Sequence, residues 1–200
     1  MMELPIPKRR KLVRGVGIND ADYVTQTKKP RWICPYYVRW SGMLRRCYSD
    51  SYHASHPSYR DCSVCDEWQL FSNFRQWVME QEQIHGSLDG LQLDKDIIDP
   101  TNKIYSSDKC AFVTQIVNLF VTDSSKSRGQ YPIGVSVRKS GRIQAQCNDP
   151  FNGVLYLGNF DTQEQAHEAW RKQKNIFAYQ LADICVDQRV ALALRLKYKQ

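Results

Sequence analysis

No apolar run in the 200-residue chain approaches the roughly 18–20 residues that a membrane-spanning helix needs, so none is expected. The N-terminal stretch also lacks the apolar core of a signal peptide. Regular cysteine spacing is missing too. The seven cysteines, an odd number, do not read as the disulfide framework of a secreted domain, and they point to a reducing interior. There is a single CxxC pair, Cys62 to Cys65. Cys47, Cys110, His53 or His56 would have to complete a zinc set around it. With no second properly spaced pair no structural zinc is expected, and the cysteines read as small buried side chains.

The composition that is present, 42% hydrophobic and 24% charged, belongs to a folded globular chain rather than a disordered one. Net charge is +7 and unevenly spread. Residues 1–48 hold 11 Lys/Arg against 3 Asp/Glu (+8), residues 49–128 hold 7 against 12 (−5), and residues 129–200 hold 10 against 6 (+4). Two basic flanks around an acidic middle suit an enzyme that uses a metal and grips a phosphate backbone. On charge alone, a basic surface without any ligand is an equal reading. Residues 1–14 form a basic arm that includes Arg9 and Arg10 and would lie along phosphates or in a minor groove; the plain alternative is a solvated tail.

The most informative stretch runs from Leu91 to Phe120. Leu91 to Lys95 alternates as a strand does, Asp99-Pro100-Thr101-Asn102 is a turn, and a second short strand is expected around Lys103-Ile104-Tyr105. Ser106 to Asp108 supplies cap-type residues, and a helix carrying Val113, Ile116, Val117 and Phe120 follows. Strand, turn, strand and helix outline a ββα-metal site. In it, Asp94 from the strand and Asn118 from the helix would share one hard divalent ion, Mg²⁺ or Mn²⁺, completed by water and DNA phosphate oxygens. Taken singly, Asp94 is a turn residue and Asn118 satisfies a helix; the combination points further.

Upstream, a helix is expected from Tyr37 to Tyr48 with Val38, Met43, Leu44 and Cys47 near one face. A second starts at Asp66-Glu67-Trp68, where Trp68, Phe71, Phe74 and Val78 make an aromatic stripe that reads as core. His53 and His56 fall in a loop and read as surface or loop-packing residues.

Several segments together resemble the phage and mobile-element HNH endonucleases of homing type: GVGIND (15–20), WSGMLRRCY (40–48), HPSYRDCSVCDEW (56–68), LDKDI (93–97) and YSSDKCAFVTQIVNLF (105–120). The resemblance implies an HNH-like ββα-metal domain over residues 15–121, with Asp94, Lys95, Tyr105 and Asn118 as catalytic residues and Asp94 and Asn118 as metal ligands. It departs from the family at one position. Where the histidine that activates water usually stands, this chain has Lys95, a cation suited to bracing phosphate and a poor base. Tyr105 matches the tyrosine that some such nucleases place nearby as a candidate base.

Residues 122–130 read as a polar linker whose Lys126 and Arg128 can touch phosphates. Beyond it, strands are expected at Ile133–Val137, Arg142–Cys147 and Val154–Phe160, then a helix opening at Asp161-Thr162. Segments 134–150 and 156–170 resemble an AP2-type DNA-binding domain, placed at 131–200. The resemblance implies a three-stranded sheet laid in the major groove, with Ser136, Arg138, Lys139, Ser140, Arg142, Gln144, Gln146 and Asn148 toward DNA. The tail from Asp187 looks helical and would pack on this module or mediate self-association.

The expected fold class is therefore α+β, with a ββα-metal domain flanked by helices and an AP2-like module behind it. The expected activity is a divalent-metal-dependent DNA endonuclease or nickase in the cytoplasm of a phage-infected bacterium. Its partner is double-stranded DNA, and a homodimer or two successive events would be needed to cut both strands. A DNA-binding protein that keeps the fold without the activity, as a regulator or counter-defence factor, is the alternative.

Overall fold

A computed structural model describes residues 11–122 and 130–199. Arg9 and Arg10 of the basic arm, and Lys126 and Arg128 of the linker, lie outside these residues. The fold is α+β. Its contacts divide the chain into two compact units, the first comprising residues up to 89 with 99–111, the second residues 90–98 with 112 onward. The strand and helix of the Leu91–Phe120 stretch thus go with the C-terminal module by compactness, although the sequence groups them with residues 15–121.

The first unit begins with an antiparallel pair, β1 (Gln26–Lys28) and β2 (Arg31–Ile33), in register Gln26 to Ile33. Helix α1 (Pro35–Tyr48) follows, with proline at its start where no N–H is needed. Trp40, Met43, Leu44 and Cys47 are its buried residues, the i, i+3, i+4, i+7 spacing of one helix face. Val38, expected near that face, is half exposed, and Trp40 takes the interior position. The sequence-expected loop at His53 is instead a short helix, α2 (Asp50–Ser55). His53 Nε2 bonds the carbonyl of Arg46 at 2.8 Å, and His56 stacks on Tyr52.

Strand β3 (Ser63–Val64) precedes two helices where one was expected, α3 (Asp66–Gln69) and α4 (Phe71–His85). Leu70 between them is extended, and the carbonyl of Gln69 accepts from Ile18 N at 2.8 Å while Phe71 N donates to Ile18 O at 3.0 Å. That bridge to the N-terminal turn breaks the helix without breaking the stripe: Trp68, Phe71, Phe74 and Val78 are all buried. Trp40 joins them, its indole N–H donating to Trp68 O at 2.7 Å. Gly17 lies so near this cluster that a Cβ there would sit 2.4 Å from Leu44 Cδ1, so only glycine fits.

In the second unit β4 (Leu91–Asp94) pairs with β6 (Ala111–Thr114), and α5 (Gln115–Val121) follows directly. A pair of strands followed by a helix is seen, but its second strand is not the one expected. Ile104–Tyr105 forms β5, which pairs in parallel with β3 inside the first unit. Val113 belongs to β6 rather than the helix, and the cap is Thr114, whose hydroxyl accepts from Val117 N at 3.2 Å. The run Ala111-Phe112-Val113 is apolar and fully buried, so it lacks the polar/apolar alternation that marks a half-exposed strand.

The C-terminal module follows the expected order closely. Strands β7 (Val135–Val137), β8 (Ile143–Asp149) and β9 (Gly153–Phe160) form an antiparallel sheet with β8 central. Helix α6 (Gln163–Asp183) is capped by the Thr162 hydroxyl, which accepts from Gln165 N at 3.2 Å. Ala145 and Cys147 of β8 and Ala166, Trp170, Phe177, Ala178 and Leu181 of α6 make its core. Gly134 touches Trp170 so closely that a Cβ would stand 2.1 Å from Cδ1, at φ +82°. Helix α7 (Gln188–Lys197) packs on α6, burying Val190, Ala191 and Leu194. Of the two roles open to the tail, packing on the module is the one seen. No described helix is long and apolar enough to cross a membrane.

Candidate functional site

Asp94 ends β4, buried, and its Oδ1 accepts backbone N–H bonds from Asp96 at 2.9 Å and Ile97 at 2.7 Å. The carboxylate therefore closes the turn that follows the strand, and the turn in turn fixes the carboxylate. Burial, and then the neighbouring Asp96 carboxylate, raise its pKa above the ordinary aspartate value; the two N–H bonds pull the other way and lose. Asp96, not expected as a site residue from the sequence, is the second carboxylate of the spot. The Asp94-Lys95-Asp96 spacing was the available signal.

Asn118 sits on α5, which packs against β4. Its Nδ2 donates to Gln92 Oε1 at 2.6 Å. Residues 92 and 94 share one face of the strand, because side chains alternate with a period of two. The helix asparagine is thus tied to the same strand face that carries Asp94. Among the described residues Asn118 Oδ1 accepts no hydrogen bond, so one amide oxygen is left over for another ligand. Thr122 Oγ1 donates to the Asn118 carbonyl at 2.8 Å and closes the helix behind it.

Lys95 is buried and its Nζ lies 2.8 Å from Asp96 Oδ2. A lysine so placed neutralises a carboxylate before it braces a phosphate. Tyr105 is 1% exposed and belongs to the first unit, whereas Asp94, Asp96 and Asn118 belong to the second. Its phenol oxygen accepts from Arg46 Nε at 2.9 Å, and the guanidinium carbon lies 5.3 Å from the ring centre. Burial drives the phenol far above its ordinary pKa despite the opposing pull of Arg46. A base needs a pKa near the working pH, so the raised phenol and its bond from Arg46 weigh against the sequence expectation of Tyr105 as base.

Asp94, Asp96 and Asn118 present only hard oxygen donors, the chemistry that Mg²⁺ and Mn²⁺ prefer. A buried carboxylate whose proton affinity is raised by burial and by a neighbouring carboxylate is relieved by a cation. Among the described residues no group of three or more His, Cys, Asp or Glu side chains is arranged to hold a metal, so the fit rests on few protein ligands.

On the sheet, Ile143, Ala145 and Cys147 point toward α6 and Gln144, Gln146 and Asn148 toward the other face, as alternation requires. Ser136 lies opposite Gln144, and Gln144 opposite Asn159. A polar row crosses all three strands: Arg138 Nε donates to Gln144 Oε1 at 2.5 Å, and Gln144 Nε2 to Asn159 Oδ1 at 3.2 Å. Lys139, Ser140 and Arg142 are exposed on the β7–β8 turn, which is closed by Gly141 N donating to Arg138 O at 2.8 Å. Asn159 and the exposed Tyr156 belong to the same sheet and were not expected from its motif. Compared with protein-family models, with curated proteins and with solved structures, the chain matches none.

Proposed function

We propose that the protein is a divalent-metal-dependent DNA endonuclease or nickase of the ββα-metal, HNH-like type, directed to duplex DNA by its AP2-like sheet. The observation that carries this reading is the attachment of Asn118 on α5 to the face of β4 that ends in Asp94. Asp94 and Asn118, with Asp96 beside them, would hold Mg²⁺ or Mn²⁺. When bound, such an ion polarises the scissile phosphate and offsets charge on the leaving oxygen.

The chain's own residues supply the rest. The turn N–H bonds of Asp96 and Ile97 hold the Asp94 carboxylate in one rotamer, and Gln92 does the same for the Asn118 amide. Lys95 limits repulsion by pairing with Asp96. Arg138, Gln144, Asn159 and the 139–142 turn would orient the duplex, arginine and amide side chains being suited to base edges and phosphates alike.

One further reading has a specific basis. Tyr105 is committed to Arg46 and Lys95 to Asp96, and this favours a DNA-binding protein that has kept the ββα frame without cleavage. Incubating supercoiled plasmid with Mg²⁺ or Mn²⁺ separates the two. Nicking that is lost in Asp94→Ala, in Asn118→Ala and in EDTA is expected. Intact plasmid from protein that still retards duplex DNA would leave the binding-only reading.

A further inference from the structure

Helix α6 carries one cation that its own packing hides. Lys174 is 8% exposed, yet among the described residues no hydrogen bond or ion pair engages its ammonium. Nζ lies 3.5 Å from the centre of the Phe120 ring and 5.6 Å from that of Tyr198. Aromatic faces attract a cation but do not replace the counter-charge that a buried lysine normally keeps. Lys174 also lines a cleft of about 460 Å³ that is bordered by Gln146, Asn148, Asp149 and Trp170.

None of the acidic groups near it supplies that counter-charge. Asp149 spends its carboxylate on the β8–β9 turn: Oδ1 accepts from Phe151 N at 2.8 Å and Asn152 N at 3.1 Å, and Oδ2 accepts from Asn152 Nδ2 at 3.1 Å. The Cys147 thiol is pushed up to about 11 by burial, so it stays neutral near neutral pH. Lys197 of α7 adds a second positive charge facing Lys174. Burial holds the Lys174 amine down at about 8, with Cys147 opposing the fall and Lys197 adding to it. A buried cation with no counter-ion on the cleft wall specifies an anion rather than a neutral ligand.

We infer that the cleft around Lys174 binds a phosphate group, carried either by a free phosphomonoester or by a nucleic-acid backbone. The ammonium meets a phosphate oxygen, while Trp170 and Phe120 form the apolar wall. This needs neither the metal site nor cleavage. If the phosphate is a backbone one, it adds a contact to the DNA-binding reading of the sheet.

The test follows the Lys174 amine in the full-length protein after ¹³C-reductive methylation, by NMR across pH. The resonance is identified by its absence in Lys174→Met, and as the lysine with the lowest midpoint if that variant fails to fold. Probes are inorganic phosphate, deoxyadenosine 5′-monophosphate and a duplex lacking 5′-phosphates. The expected result is a rise of about one pH unit or more with at least one probe, because an anion favours the charged amine. Exposed Lys172→Met should leave the rise intact. A rise with the two small probes alone identifies a free phosphomonoester; a rise with the duplex alone identifies the backbone. An amine unmoved by all three overturns the inference, whatever the plasmid assay shows.

Discussion

Replacing Tyr105 by phenylalanine removes a single oxygen and separates a structural role from a catalytic one. The ring stays where it is: it is buried, and β5 remains tied to the β3 segment through Cys65 N donating to Tyr105 O at 3.0 Å. The contact of the Arg46 guanidinium with the ring face also persists. What goes is the 2.9 Å bond from Arg46 Nε, a hydrogen bond from a charged donor. Such bonds contribute about 1.5–3 kcal/mol net. The lower half of that range is expected, since Arg46 is only half-buried and water can partly take over the bond. For a chain of this size each kcal/mol lowers the melting temperature by roughly 2–4 °C, so a fall of about 3–9 °C is predicted in thermal unfolding. Metal-dependent nicking by the folded variant should stay within a few-fold of wild type. A variant that melts like wild type but has lost nicking would refute the reasoning and return Tyr105 to the role of base.

Asp94→Asn should leave the cation-free protein as stable as wild type or more so, while removing stabilisation by Mg²⁺. A raised folded pKa in an acid favours the native state at pH below the ordinary aspartate value, and this advantage is lost as pH rises through the folded value. At neutral pH the ionised carboxylate is therefore a cost that asparagine avoids. With Mg²⁺ at ten times its dissociation constant, wild type should gain about 1.4 kcal/mol in calorimetry and the variant nothing. Gly134→Ala should destabilise the second unit by about 2 kcal/mol or more, since both the left-handed backbone and the Trp170 ring oppose a Cβ; urea unfolding followed by Trp170 fluorescence reads it. Arg142→Ala on the exposed turn should lower the slope of log affinity against log salt for duplex DNA by about one, with little change in base preference. An unchanged slope would remove that turn from the proposed interface.

Much of the fold is written in local pattern. The strand at Leu91–Asp94, the three alternating strands of the C-terminal module and the Thr162-capped helix all appear within a residue or two of where spacing places them. So does the Trp68–Val78 stripe, because helical periodicity survives the break at Leu70. These signals are short in range: a strand alternates and a cap accepts its bond within four residues.

Other features depend on partners far away in the chain. Ile104–Tyr105 reads as a strand from sequence, but which strand it joins is decided by Ser63–Val64, some forty residues earlier. The true partner of β4 is the buried, uniformly apolar Ala111–Val113, which carries no alternation to announce it. Tyr105 is a plausible base by motif and becomes a buried acceptor only because α1 brings Arg46 to it. Lys174 looks like any solvent-facing lysine of an amphipathic helix until Phe120 and Tyr198 close over it. Sequence alone determined the α+β class and the charged and apolar faces, since these follow from periodicity and side-chain chemistry, while the resemblance to ββα-metal nucleases named Asp94 and Asn118 as the residues to test. Tertiary structure alone decided which of those side chains is already spent on a neighbour, because desolvation and hydrogen bonding are set by atoms that sequence spacing does not bring near.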